Sequence, residues 1–325
     1  MKRLVKTTIW RNKYFVAFMA VIACILWGSA FPVLKVTYEE LQLAGEDQAS
    51  RLLLAGMRFF SAAVLLFIFA KFALKLSWRV KKEMILPLIL LGLGQTGLQY
   101  YFFYNGLAYT GGIKAAIINS AGNFLVVIFA HFLYADDKLS FGKAIGLLTG
   151  IAGIVLVNWE SGPGGISWDF SFRGEGFLLL SGFASVFGTF QAKRLSQKLQ
   201  PILINAYQLL FGSLLLLLTA APGYHSGQLA TTPLFWGLLI YSAFLSAVAF
   251  SIWYTLLRYN KAGEITLYRF LIPVSGAILS AFFLPAEHFT PAVFLALFLV
   301  ALGLVVVNYL NSRTQKERME SSESY

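Results

Sequence analysis

The chain has 325 residues and a formal net charge of +11, and 58% of its residues are hydrophobic while only 13% are charged. A soluble domain carries about 25% charged residues and needs a polar exterior that this composition does not supply. The single cysteine excludes a disulfide scaffold, and the 30 phenylalanine residues exclude a disordered chain. The composition therefore predicts a membrane protein with several spans.

Ten apolar segments are long enough to cross a bilayer, whose hydrocarbon core requires about 20 residues of helix. The first segment is too long for a cleaved signal peptide, so we expect it to be retained. Short connections predict one compact bundle. The ten predicted spans are Tyr14–Leu34, Leu52–Phe72, Met84–Tyr109, Ile113–Tyr134, Phe141–Trp159, Gly174–Ala192, Ile202–Ala221, Leu234–Leu257, Ile265–Leu284 and Ala292–Leu310.

The basic residues are distributed unequally between the two sides of the predicted bundle. Twenty of the 26 lysine and arginine residues lie in loops or tails on the side of the N-terminus. Because cytoplasmic loops are enriched in positive charge, both termini are predicted to be cytoplasmic. The net charge is therefore a topology signal, and no basic soluble face indicates nucleic-acid binding.

The chain matches itself without gaps at an offset of 150 residues. Ten of the 55 positions from 104 to 158 are identical to their counterparts, as in the pair Tyr104 and Tyr254, and Asp137 falls on Glu287. Each copy contains five predicted spans, and this odd number places the second copy in the opposite orientation. We therefore predict an all-α integral membrane protein with ten transmembrane helices in two inverted five-helix repeats.

Inverted repeats are the architecture of secondary transporters, because exchanging the conformations of the two halves opens the site to the other side of the membrane. An old gene duplication without mechanistic consequence is the alternative. Alternating-access transport is the favoured interpretation, since the pseudo-two-fold axis supplies two related states.

Several motifs resemble one known family. They are the segment Trp27–Pro32 followed by Lys35 in the first span, Arg58 in the second span, and the acidic residues Asp137 and Glu287 after the fourth and ninth spans. Together with the ten spans, they are similar to the drug/metabolite transporter superfamily, EamA type. The resemblance implies a central cavity and the export of amino acids or other small metabolites.

The resemblance also implies the organisation of the chain. It predicts EamA-like repeats at 1–159 and 174–310, and the polar, mixed-charge composition from Ser312 onward predicts a disordered cytoplasmic tail at 311–325. We expect a multi-pass protein of the plasma or inner membrane that binds a small-molecule substrate, contacts the lipid bilayer and is a monomer or a homodimer. No cofactor, metal or nucleic acid is expected.

Polar side chains inside predicted spans are the first candidates for substrate binding, because they are costly in lipid and tend to line a cavity. Arg58 suits a carboxylate or phosphate, with snorkelling or a structural bond as the alternative. Gln95 with Gln99, and Asn119 with Asn123, are spaced four residues apart, so each pair shares a helix face. We expect these two amide stripes to face each other across the cavity, with interhelical hydrogen bonding as the alternative.

Aromatic residues and prolines are the second set of candidates. Pro32 and Pro273 interrupt helical hydrogen bonding and are predicted hinges, with static kinks as the alternative. Arg269, close to the cytoplasmic start of the ninth span, is expected to snorkel to the surface. The aromatic residues predicted to form cavity walls, unless they are interfacial, are Trp27, Trp253, Tyr254 and Tyr268.

No aspartate or glutamate lies in the middle of a predicted span, and the chain has no HExxH, Walker A or nucleophile-elbow motif. The sequence therefore predicts a transporter and no enzyme, with a neutral, amide-lined cavity. A facilitator or exchanger of a phosphorylated or nucleoside-like metabolite is the alternative. An intramembrane enzyme or a non-transporting receptor is a less favoured alternative.

Overall fold

The computed structural model describes residues 8–43, 47–109, 112–159, 171–224 and 232–284, together with ten residues between 291 and 306. Within these residues the regular secondary structure is entirely helical. The first half contains five helices: α1 (Lys13–Glu40), α2 (Gln48–Phe72), α3 (Lys82–Leu91, a π-helical segment Gly92–Leu98, then Gln99–Ala108), α4 (Gly112–Leu133) and α5 (Phe141–Trp159).

The second half repeats this series. The described residues between 291 and 306 are helical and belong to the tenth predicted span, most of which lies outside the described residues, as do Glu287 and the predicted tail 311–325. The other helices are α6 (a π-helical turn Phe172–Gly176, then Phe177–Ser196), α7 (Pro201–Ala220), α8 (Pro233–Tyr259) and α9 (Ala262–Thr266, a 3₁₀ segment Leu267–Phe270, then Leu271–Phe283).

Local sequence explains where several of these helices begin. The side chains of Asn12 and Asp47 accept hydrogen bonds from backbone N–H groups in the first turns of α1 and α2, and Thr232 does the same for α8. These caps satisfy donors that have no partner within the helix. Pro201 and Pro233 occupy first helical positions, where a missing N–H costs nothing.

Five helical runs within the described residues are long and apolar enough to cross a membrane. Large side chains such as Phe18, Phe72 and Leu218 are exposed on the outside of the bundle, as lipid-facing residues are. The chain is an all-α multi-pass membrane protein. The five runs are Lys13–Glu40, Gln48–Phe72, Pro201–Gly223, Pro233–Tyr259 and Ala262–Phe283.

The two halves interlock through equivalent contacts. Helices α2 and α7 pack along each other, α1 packs between α8 and α9, and both α3 and α4 pack on α6. We call the end of the bundle at which α1 begins the proximal end, and the opposite end the distal end. Helix α6, which opens the second half, finishes at the proximal end, where Lys193 Nζ donates to the carbonyl of Asn260, whose side chain bonds Trp10. The halves are therefore inverted.

One pair of polar contacts displays the repeat directly. Arg58 Nε in α2 donates to Ser246 Oγ in α8 at 2.8 Å, and Gln208 Nε2 in α7 donates to Thr96 Oγ1 in α3. Gln208 lies 150 residues after Arg58, and Thr96 lies 150 residues before Ser246. The offset found in the sequence thus relates two hydrogen bonds between the halves.

Candidate functional site

Two irregular helical segments mark the middle of the bundle. The π-helical segment Gly92–Leu98 interrupts α3, and the 3₁₀ segment Leu267–Phe270 interrupts α9. Pro273 follows the second segment and cannot donate the backbone hydrogen bond that would continue a regular helix. Such interruptions often lie at functional sites of membrane transport proteins.

An arginine and two tryptophans meet beside the 3₁₀ segment. The guanidinium carbon of Arg269 lies 5.9 Å from the ring centroid of Trp27 in α1 and 5.8 Å from that of Trp253 in α8. The two indole rings are 5.4 Å apart and tilted by 62°. Arg269 Nη1 donates to Ser185 Oγ in α6 at 3.1 Å. We call these four residues the Arg269 site, and both halves of the molecule contribute to it.

The expectation that Arg269 snorkels to the surface is wrong. Its side chain is half-buried and turns to α1, α6 and α8, because the 3₁₀ segment directs it into the bundle. The repeat carried a signal for this position, since Arg269 lies 150 residues after the predicted site residue Asn119. The prediction of a neutral, amide-lined interior therefore has to be corrected to an interior that carries positive charge.

Arg269 is incompletely satisfied by the protein. Its Nε is buried without an acceptor, and no carboxylate among the described residues forms an ion pair with it. Two cation–π contacts supply up to about 2 kcal/mol each. Removing an ion from water costs several kcal/mol, which these contacts offset in part, and the unpaired Nε leaves room for a further acceptor.

The glycine of the Trp27–Pro32 motif explains how α1 and α9 approach each other beside this site. A Cβ atom on Gly28 would overlap the hydroxyl of Ser275 and lie 2.8 Å from the backbone nitrogen of Gly276. Cys24, one turn earlier in α1, donates through Sγ to the carbonyl of Tyr268 at 3.2 Å. The close approach thereby fixes the 3₁₀ segment against α1.

A neutral hydrogen-bonded network lies next to the Arg269 site. The hydroxyl of Tyr254 donates to Gln208 Oε1 at 2.8 Å, and Gln208 in turn donates to Thr96 in the π-helical segment of α3. All three side chains are buried. Tyr254, predicted as a cavity wall, therefore links α8 to α7 and α3.

The predicted site residue Arg58 is enclosed. Its side chain is 4% exposed, and it borders a cavity of about 10 Å³ that Thr37 and Ser242 also line. This volume is about that of a single water molecule and far below that of a metabolite. Arg58 therefore joins α2 to α8 in this conformation and contacts no substrate-sized space.

Only one of the two predicted amide stripes has both of its side chains among the described residues. Gln95 Nε2 donates to Gln99 Oε1 at 2.8 Å, and Gln95 lies against Gly188 of α6, where a Cβ atom would overlap its amide. Asn123 is half-buried in α4, and the side chain of Asn119 lies outside the described residues. Helices α3 and α4, which carry these two stripes, both pack on α6.

The remaining predicted residues are in or next to the Arg269 site. Trp253 is 3% exposed, and Tyr268 is buried beside Arg269. Pro32 lies within α1, which continues as a helix past it. Pro273 lies in the first turn after the 3₁₀ segment. The structure therefore brings Trp27 and Trp253 together at Arg269, a residue that was not predicted for the site, and Tyr268 and Pro273 lie close to Arg269 along α9.

A buried ion pair lies at the proximal end. Lys143 Nζ lies 2.5 Å from Asp137 Oδ1, and both side chains are almost fully buried. The other oxygen of Asp137 accepts from the backbone N–H of Gly263 at 2.8 Å, so it caps the start of α9. This contact joins the α4–α5 loop of the first half to the second half.

A second contact at the proximal end joins three more helix ends. Lys193, just after the predicted span 174–192, places Nζ 5.2 Å from the ring centroid of Tyr134 and donates to the carbonyl of Asn260 at 2.6 Å. Burial lowers the pKa of Lys193, and the carboxylate of Asp137 opposes that shift. The end of α6 is thereby tied to the ends of α4 and α8.

Known proteins resemble this chain over nearly its whole length. The uncharacterized transporter YvbV of Bacillus subtilis (strain 168) is 28% identical, over 97% of this chain and 96% of the relative. The uncharacterized transporter YetK of the same organism is 26% identical, over 82% of this chain and 78% of the relative. A solved crystal structure with 18% identity has a TM-score of 0.77, covers 93% of this chain and 99% of its own, and shares the fold.

The family comparison agrees with the two halves seen in the helices. The EamA-like transporter family matches residues 14–159 and 172–309, which together make up most of the chain. These matched ranges contain α1 to α5 and α6 to α9, respectively. The chain is therefore a membrane transporter that belongs to the EamA-like transporter family.

Proposed function

We propose that this protein is a secondary transporter that exports a small metabolite, an amino acid or a related solute, across the cell membrane by alternating access. One observation carries the proposal: α1, α6, α8 and α9, drawn from both inverted halves, bring Trp27, Ser185, Trp253 and Arg269 together in the middle of the bundle. A site shared by two inverted halves can be exposed to either side when the halves exchange conformations.

The topology of the proposal follows from charge. With twenty of the 26 basic residues on the proximal side, both termini and the proximal end are assigned to the cytoplasm. The Asp137 contacts then join the two halves on the cytoplasmic side in this conformation. No enzymatic step is assigned to the protein, in agreement with relatives that are named as transporters.

Reconstitution tests the transport activity. The purified full chain in liposomes should accumulate at least one labelled solute from a panel of amino acids, nucleosides and sugar phosphates, above protein-free liposomes. Each solute is assayed with and without a pH gradient, and with the same solute trapped inside to detect exchange. A protein that moves no solute under any of these conditions contradicts the proposal.

A reversible cross-link tests alternating access. A Cβ atom built on Gly263 lies 3.5 Å from the Cβ of Ala130, which is within the range for a disulfide. In a Cys24→Ala background, the pair Ala130→Cys and Gly263→Cys should lose transport on oxidation and regain it on reduction. The two single-cysteine variants are the controls. Full transport by the cross-linked protein would exclude opening at this contact as a step of the cycle.

A further inference from the structure

The charges in the middle of the bundle have one sign. Arg58 and Arg269 are cationic, and within the described ranges no aspartate or glutamate pairs with either of them. Both lie on helix segments whose surroundings are aromatic, aliphatic or hydroxylic. Such an interior repels cationic solutes and attracts anionic ones, because charges interact more strongly where water is scarce.

The two arginines differ in what they offer to a solute. Arg58 is 4% exposed and donates to Ser246 beside a cavity of about 10 Å³. Arg269 keeps part of its side chain accessible, and its single hydrogen bond within the described residues goes to Ser185. A guanidinium has five N–H donors in a planar fork, so most of those of Arg269 remain for an acceptor.

We propose that Arg269 binds the anionic group of the transported solute, so that the protein selects solutes bearing a carboxylate or a phosphate. This inference rests on the proposed transport function. Trp27 and Trp253 fix the guanidinium plane through their ring faces, and Ser185 orients its Nη1. The carboxylate or phosphate takes the free N–H groups, and Trp27, which is half-buried, contacts the remainder of the solute.

Matched pairs of probes test this selectivity in proteoliposomes of the full chain. The carboxylate arm compares succinate with succinamide and leucine with leucinamide, and the phosphate arm compares glucose 6-phosphate with glucose. The anionic or carboxylate-bearing member of at least one pair should be transported in preference to its partner. The arm that responds identifies which anionic group is recognised.

Substitution of Arg269 connects the selectivity to this residue. Arg269→Gln should raise KM for the preferred probe about tenfold or more, the value of one charge-assisted hydrogen bond, and reduce its preference over the matched partner. Arg269→Lys keeps the charge but not the planar fork and should recover part of the loss. Arg79→Gln, on the exposed proximal loop between α2 and α3, is the control and should leave KM unchanged.

The outcomes separate this inference from the proposed function. Transport of leucinamide, succinamide or glucose as well as their partners leaves the transporter proposal standing and overturns the assignment of an anionic solute. If Arg58→Gln changes KM and Arg269→Gln does not, the anion binds at Arg58, and this outcome also overturns the proposal. If Arg269→Gln reduces transport of both members of a pair equally and lowers the thermal midpoint, Arg269 has a structural role, and its assignment as the anion ligand is overturned. If no solute is transported at all, both proposals fail.

Discussion

The contact between α2 and α8 and the contact between α7 and α3 occupy equivalent places in the two repeats, but their chemistry differs. Arg58 bonds Ser246 beside a small cavity, whereas Gln208 bonds Thr96 and accepts from Tyr254 with no exposed surface. The two repeats therefore share the position of this interhelical hydrogen bond, but the side chain that donates it is charged in one half and neutral in the other.

A second pair of equivalent positions reverses this difference. Arg269 in the second half corresponds to Asn119 in the first, just as Gln208 in the second half corresponds to Arg58 in the first. Each half thus supplies one arginine and one amide. In the first half the arginine is at position 58 and the amide at 119, and in the second half the amide is at 208 and the arginine at 269. The two halves repeat the order of their helices, and these four residues give equivalent positions in the two halves a different chemistry.

The largest loss of stability is expected when Gln208 is replaced by arginine, the residue at the equivalent position of the first half. Gln208→Arg inserts a guanidinium into a fully buried position with no carboxylate among its described neighbours, and should destabilise the fold by about 3–5 kcal/mol. Unfolding in detergent micelles, followed by circular dichroism, measures the loss. A variant as stable as the parent would mean that the two contacts are interchangeable.

A smaller effect is expected when the neutral network loses its central residue. Gln208→Leu leaves the hydroxyl of Tyr254 without its acceptor, at a cost of about 1–3 kcal/mol. Tyr254→Phe removes the other end of the same bond and should cost about 1 kcal/mol. The double variant should lose less than the sum of the two, and strict additivity in the same unfolding assay would show that the bond contributes nothing.

The smallest effect is expected when the charged contact is made neutral. Arg58→Gln removes one hydrogen bond and also a buried charge, so the two changes offset each other to within about 1 kcal/mol. The control Arg58→Ala, which leaves a cavity, should destabilise more. If Arg58→Gln is instead more damaging than Gln208→Leu, Arg58 has a stabilising role that the described contacts do not contain.

The helices were predictable because their signal is long and redundant. Nine predicted spans overlap α1 to α9, the largest difference being the end of α1, at Glu40 where the prediction had Leu34, and Phe141–Trp159 agrees at both ends. The repeat was predictable as well, because an offset of 150 residues also relates Arg58 and Ser246 to Gln208 and Thr96.

The candidate site was harder to predict because side-chain direction was inferred from regular helices. The position of Arg269 near the start of a straight helix predicted that its side chain reaches the surface, whereas in the structure the 3₁₀ segment turns it into the bundle. In the same way, the spacing of Gln95 and Gln99 predicted a shared face correctly, yet it carried no information on which helix that face meets. Helix irregularities and helix neighbours are tertiary properties that a single sequence encodes weakly.

The only cysteine of the chain occupies a position that reports on motion between the halves. Cys24 in α1 is completely buried against the backbone of Tyr268 at the start of α9, and the two helices belong to different repeats. Any rocking of one repeat against the other has to pass through this contact. Under the proposed alternating-access mechanism, the rate at which a small alkylating reagent reaches the native thiol should therefore follow the motion between the repeats, without a label having to be introduced.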